Sequence, residues 1–148
     1  VLEVILLAGS IGLGIAGDPY LDGFRDSSSH WQKKRDLLEY PKHQPTDINS
    51  IAENVLLLQR QNGGWPPNEE VLRILTDADR AQWKSNREKL DTSFDNRSTY
   101  THLRYLAHAF QQTGDQRFRD GAIRGLDFVL SAETPSGGWP HSFPRTGA

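Results

Sequence analysis

The sequence predicts an all-α protein built as a ring or stack of antiparallel helix pairs. Three observations lead there. The turn Asn62-Gly63-Gly64-Trp65-Pro66 recurs as Ser136-Gly137-Gly138-Trp139-Pro140, each time after an apolar helical stretch, residues 54–59 and 127–132. Such self-similarity marks a repeat architecture. The two tryptophans stand 74 residues apart, room for two helical hairpin arms, since helices average roughly 11–12 residues and connections a few more. Finally, apolar residues recur at helical spacing, and no segment alternates convincingly as a strand.

Residues 1–17 open with an apolar run from Val4 to Gly17 that is rich in glycine. It is too short for a membrane span, which needs about 20 apolar residues. Its small residues Ala16-Gly17 before Asp18-Pro19 suit the remnant of a secretory signal. The other reading is a buried strand. Residues 18–45 are polar and interrupted by Pro19, Pro41 and Pro45. They read as a weakly structured N-terminal extension with one helix around residues 31–40. From Thr46 the pattern sharpens: Ile48, Ile51, Val55 and Leu58 share a helical face, with Thr46 or Asp47 as cap and Gly63-Gly64 as terminator. Thr76-Asp77-Ala78-Asp79 resembles a capping box and opens a charged helix through Leu90, with Ala78, Ala81 and Trp83 as its burial face.

Tyr100, Leu103, Ala107 and Phe110, with Leu106 beside them, form the next stripe. Gly114 ends that helix and Asp115 caps the following one, where Phe118, Ala122, Leu126 and Val129 share a face. Short loops imply antiparallel neighbours. Residues 140–148 are loop-like and follow a repeat turn directly, and a ring with two turns does not close, so the chain is expected to continue.

The chain of 148 residues is long enough for one core. A net charge of −2 gives no basic excess for nucleic acid. No cysteine is present, which excludes disulfides, zinc-thiolate sites and cysteine nucleophiles. No phosphate-binding glycine loop, metalloprotease histidine pair or serine elbow occurs. His102 and His108 do not pair for a metal.

Two constellations carry chemistry. In each Gly-Gly-Trp-Pro turn the glycines allow a sharp reversal and the proline blocks helix continuation. The indoles of Trp65 and Trp139 either plug the gap between helix pairs or offer platforms on which a sugar stacks. Asp91, Asp95 and Asn96 precede the helix that starts near Tyr100. An Asp or Asn there is an ordinary helix cap. Together the three also offer hard oxygen ligands of the kind calcium takes. His141 follows the second turn and is placed to line a groove.

These residues resemble polysaccharide lyase family 10, the pectate lyases. The resemblance runs through residues 54–60 into Asn62-Gly63-Gly64-Trp65-Pro66, then Thr92-Ser93-Phe94-Asp95-Asn96 with residues 98–107. Thr113-Gly114-Asp115, Arg124-Gly125-Leu126-Asp127 and Ser136-Gly137-Gly138-Trp139-Pro140 continue it, and Phe143-Pro144 echoes the family's ending. It spans about Ile51 to Pro144, in order. It implies an (α/α) toroid over residues 46–148 that cleaves polygalacturonate with Ca2+ by β-elimination. Asp95 matches the family's substrate- or ion-positioning aspartate, and Asp95 and Asn96 together the Asp-Asn near calcium. With Asn96, the indoles of Trp65 and Trp139 and the groove position of His141 make up the expected substrate contacts. The family's base is an arginine downstream of the second turn, so this chain alone is expected to be inactive. Pro67 stands where the family has lysine, Arg97 where it has a small residue, Tyr100 where it has threonine and His141 where it has glutamine.

The expected protein is therefore a secreted, monomeric pectate lyase, with polygalacturonate as partner and neither nucleic acid nor, once mature, membrane. Two other classes fit parts of the sequence. One is a non-catalytic saccharide-binding or structural helix-repeat protein. The other is a terpene-cyclase-like toroid, since residues 59–65 resemble that group's glutamine-tryptophan repeats. Against the latter, the chain has no aspartate-rich acid motif and only 9% aromatic residues to line a cation-stabilising pocket.

Overall fold

The computed structural model describes residues 17–144. The signal remnant read over residues 1–17 lies, apart from Gly17, outside them. Five α-helices occur there: α1 Arg25–Arg35, α2 Ile48–Leu58, α3 Asp77–Ser85, α4 Tyr100–Thr113 and α5 Gln116–Ser131. Short 3-10 turns lie at Asp22–Phe24 and Asp95–Arg97. The described residues hold isolated bridges, Lys42 with Arg73 and Ser93 with Ser142, but no strand. The all-α class follows the sequence.

α4 and α5 form an antiparallel pair, and α2 packs mainly on α4. The α2 face is the expected one: Ile51, Ala52, Val55 and Leu58 are buried. Asp47 does sit at the cap position, but its carboxylate accepts from the Gln44 N–H at 2.9 Å instead of from the helix. Buried Asn54 is the polar exception on this face. Its amide donates to the carbonyls of Val71 and Arg73 at 2.8 and 2.7 Å, tying the following loop to α2. α3 opens on the expected capping box of Thr76 and Asp79 but stops at Ser85, short of Leu90. Only Trp83 of its expected face is buried; Ala78 and Ala81 are exposed.

The buried faces of α4 and α5 are rotated from those the apolar spacing suggests. On α4 they are Thr101, His102, Tyr105, Leu106 and Ala109, while Tyr100 is exposed. On α5 they are Phe118, Gly121, Gly125 and Phe128, while Leu126 is exposed. The cause is close packing. A Cβ at Gly121 would lie 2.4 Å from Leu56 Cδ2, and one at Gly125 would lie 2.8 Å from the Trp65 ring. Glycine admits α5 to the core where a larger residue would hold it off.

Residues 18–45 also depart from expectation. They carry α1, which begins six residues before the predicted start, at Arg25 and not Trp31. Phe24 and Trp31 are buried, and the Phe24 ring meets His102 and Tyr105 edge-on. Phe24 enters the core, with Tyr20 and Leu21 packed against it, and so fastens a polar segment to the helices.

The repeated turns are the same structure twice. Arg60 N–H donates to Gly64 O and Gly63 N–H to Arg60 O; Thr134 N–H donates to Gly138 O and Gly137 N–H to Thr134 O. Gly63 and Gly137 have φ of 96° and 84°, the left-handed region that favours glycine.

Candidate functional site

The first turn anchors the loop that carries the Asp-Asn pair. Ser93 N–H donates to Trp65 O at 3.0 Å. The Thr99 hydroxyl accepts from Trp65 N–H at 3.2 Å and donates to Ser93 O at 2.9 Å. Thr99 N–H donates to His102 Nδ1 at 3.2 Å. These bonds hold Asn96, Arg97 and Thr99 at φ of 48°, 61° and 69°. Positive φ in a non-glycine residue costs about 1–3 kcal/mol and persists only where surroundings over-determine it.

Asp95 is not a helix cap. Thr99 occupies the cap position of α4, and Asp95 opens the 3-10 turn upstream. Its carboxylate instead meets His141 Nε2 at 3.1 Å. A short extended pairing creates that contact. Phe94 N–H donates to His141 O at 3.0 Å and Phe143 N–H to Thr92 O at 3.2 Å. The Ser93 hydroxyl adds a bond to His141 O at 2.8 Å, and the Thr92 hydroxyl donates to Phe143 O. Asn96 donates from its amide to Asn68 Oδ1 at 2.7 Å, leaving its own oxygen free of that bond.

His141 and Asn68 both line a cleft of about 650 Å³. One wall comes from α1 (His30, Lys34, Arg35), the other from Asn68, Glu69, Asp91 and Ser93. Asp91 is neutralised: Arg60, nearly buried, grips it through two bonds of 2.6 and 2.9 Å. Burial raises the Glu69 carboxyl above the usual range, against the opposing pull of Arg35, Arg60 and Arg73.

Of the residues predicted for the site, His141 lines the cleft, while Asp95 and Asn96 are not among its lining residues and are tied to its edge through His141 and Asn68. Trp65 does not join them. It is wholly buried, its Nε1–H donates to Val55 O at 2.8 Å, and His102 stacks on it with centroids 5.3 Å apart. No sugar can reach it, so its role is the packing one. Trp139 is half-exposed and is not among the residues lining the cleft. Sequence reasoning missed Asn68, Glu69 and the α1 wall. Asn68 had a signal, its place three residues after Trp65.

As a calcium site these residues are incomplete on their own. Asp91 is engaged by Arg60, and among the described residues no three acidic or histidine side chains converge as a metal-binding group. Calcium takes six to eight oxygens. Asp95 and Asn96 can offer two of them, so they fit only an ion shared with substrate carboxylates and water.

Residues 59–148 match the family described as pectic acid lyase. The fold is similar to that of the family 10 polysaccharide lyase from Cellvibrio cellulosa, with a TM-score of 0.51 at 20% identity over 91% of this chain and 34% of that one. It is equally similar to a mutant of that lyase in complex with trigalaturonic acid, with a TM-score of 0.51 at 19% identity over 92% of this chain and 35% of that one. The chain thus spans about a third of the length of these solved structures. A search of curated proteins gave no match.

Proposed function

The chain belongs to the pectic acid lyase family, and from that premise we propose that it forms the substrate- and calcium-positioning part of a pectate lyase cleaving polygalacturonate by β-elimination. The observation that carries this reading is the fixing of Asp95 and Asn96, through His141 and Asn68, to the edge of one open cleft. The likeness to a mutant lyase in complex with trigalaturonic acid supports the substrate class.

In this reaction a base removes the C5 proton, α to the C6 carboxylate. The C4–O bond breaks, a C4=C5 double bond forms, and the leaving oxygen takes up a proton. Calcium, when bound, supplies charge stabilisation to the C6 carboxylate. The chain's own residues bind and orient. Asp95 and Asn96 would hold the ion and the sugar through their side-chain oxygens, and the Thr99 hydroxyl bridges Trp65 and Ser93, fixing the loop between them. The base, an arginine in the resembled family, lies outside this stretch, so the chain alone binds without cleaving. Secretion completes the reading, since the substrate is an extracellular polymer.

A non-catalytic saccharide-binding protein is the second reading, favoured by Pro67 in the cleft wall. The experiment titrates trigalacturonate into the chain with calcium and follows unsaturated uronide absorbance on polygalacturonate. Calcium-dependent binding without product is expected. An absence of binding would end the proposal. Product formation would end the claim that the base lies elsewhere. A longer protein that includes the downstream arginine separates the two readings: it forms product if a lyase and none if only a binder.

A further inference from the structure

Resting on the pectate reading, we propose that α1 supplies a carboxylate-binding wall to the cleft, with Lys34 and His30 as contacting groups for an anionic uronate chain. His30 and Lys34 stand four residues apart, neighbours on one helix face, and both line the cleft with Arg35. None of the three makes an ion pair with a carboxylate among the described residues. Arg35 is fixed, stacked 4.5 Å from the Trp31 ring and donating to Trp31 O at 3.3 Å. Arg60 on the far side is already consumed by Asp91. Lys34 is thus the uncommitted cation of this wall among the described residues, with His30 one turn before it. Polygalacturonate carries a carboxylate on every sugar, and complementary charge sets orientation and register. α1 also precedes the stretch that matches the family, residues 59–148.

The plain alternative is that Lys33, Lys34 and Arg35 only complement the negative end of α1. Position separates the two. Lys33 lies in the same last turn but lines a different hollow, with Ser29, Gln32 and Asp36. The dipole role treats Lys33 and Lys34 alike; the cleft role does not.

The test is calorimetric titration of the whole chain with hexagalacturonate and calcium, comparing wild type, Lys34→Ala, Lys33→Ala and Lys34→Arg. Lys34→Ala is expected to weaken binding about fivefold and flatten its salt dependence, as loss of one solvent-exposed ion pair does. Lys33→Ala should stay near wild type, Lys34→Arg should retain affinity, and melting midpoints should agree. Equal affinities for Lys34→Ala and Lys33→Ala would overturn the proposal alone. A wild-type chain that does not bind hexagalacturonate would overturn the pectate reading and this wall with it.

Discussion

Trp65 and Trp139 make the same hydrogen bond in the same turn, each Nε1–H donating at 2.8 Å to the carbonyl ten residues earlier, Val55 and Val129. Yet Trp65 is 0% exposed and Trp139 is 48% exposed. The difference is the α4–α5 pair, which covers Trp65 with His102 and Gly125. Among the described residues one sequence motif is therefore buried in a core at one place and half-exposed at the other.

Trp65→Ala should then cost about 3–5 kcal/mol, the range for emptying a large buried aromatic site. Trp139→Ala should cost no more than about 2 kcal/mol, since half its area is already in water and one hydrogen bond is lost. Urea titration of both variants decides it. Equal losses would mean that the two turns are equally packed.

Gly125→Ala sets two effects against each other. Helix propensity favours alanine by about 1 kcal/mol. The new methyl, however, would meet Trp65 at 2.8 Å and Leu103 Cβ at 2.9 Å, neither of which yields easily. Overpacking costs about 1–3 kcal/mol, so net destabilisation is expected in thermal melts. A stabilised variant would show that α5 can move away from the core.

Burial pushes the His102 imidazole down to about 3, against about 6.5 in an unfolded chain. Between those values the unfolded state binds the extra proton. Stability should therefore fall as pH drops below about 6.5, by about 1.4 kcal/mol per pH unit from this residue, and be insensitive to it above. In His102→Asn, which keeps an acceptor for the Thr99 N–H, the variant's stability curve from pH 6.5 to 4.5 should be flatter than wild type by that slope. Parallel curves would mean that the ring is not shielded.

What the sequence made legible was local. The capping box at Thr76, the cap at Asp115 and the left-handed Gly114 each depend on neighbours within one turn, and each is found as read. The α5 face was misread because glycine carries no hydrophobic signal, although Gly121 and Gly125 are buried in close contact with Leu56 and Trp65. α1 was obscured because Phe24 and Trp31 also gain partners far along the chain, His102 and Arg73. The site shows the same division. The Asp-Asn pair was visible as a motif. Its contact with His141 rests on the pairing of Ser93 with Ser142, 49 residues apart, which no local pattern encodes.

The Asp95–His141 contact also dictates the sharpest test of the site. Because Thr99 and not Asp95 caps α4, removing the charge at Asp95 takes no cap away. The structural loss in Asp95→Asn is one partly exposed pair, with side chains 74% and 40% exposed for His141 and Asp95, and such pairs contribute about 0–1 kcal/mol. If Asp95 positions calcium and uronate, the loss appears in binding instead. The expected result is a melting midpoint close to wild type together with at least about tenfold weaker calcium-dependent binding of trigalacturonate, about 1.4 kcal/mol. His141→Ala, which removes the partner but leaves the carboxylate, should retain most of that binding. Asp95→Asn with undiminished calcium-dependent affinity would reduce Asp95 to a surface partner of His141. Equal losses in both variants would instead make the pair, and not the carboxylate alone, the functional unit.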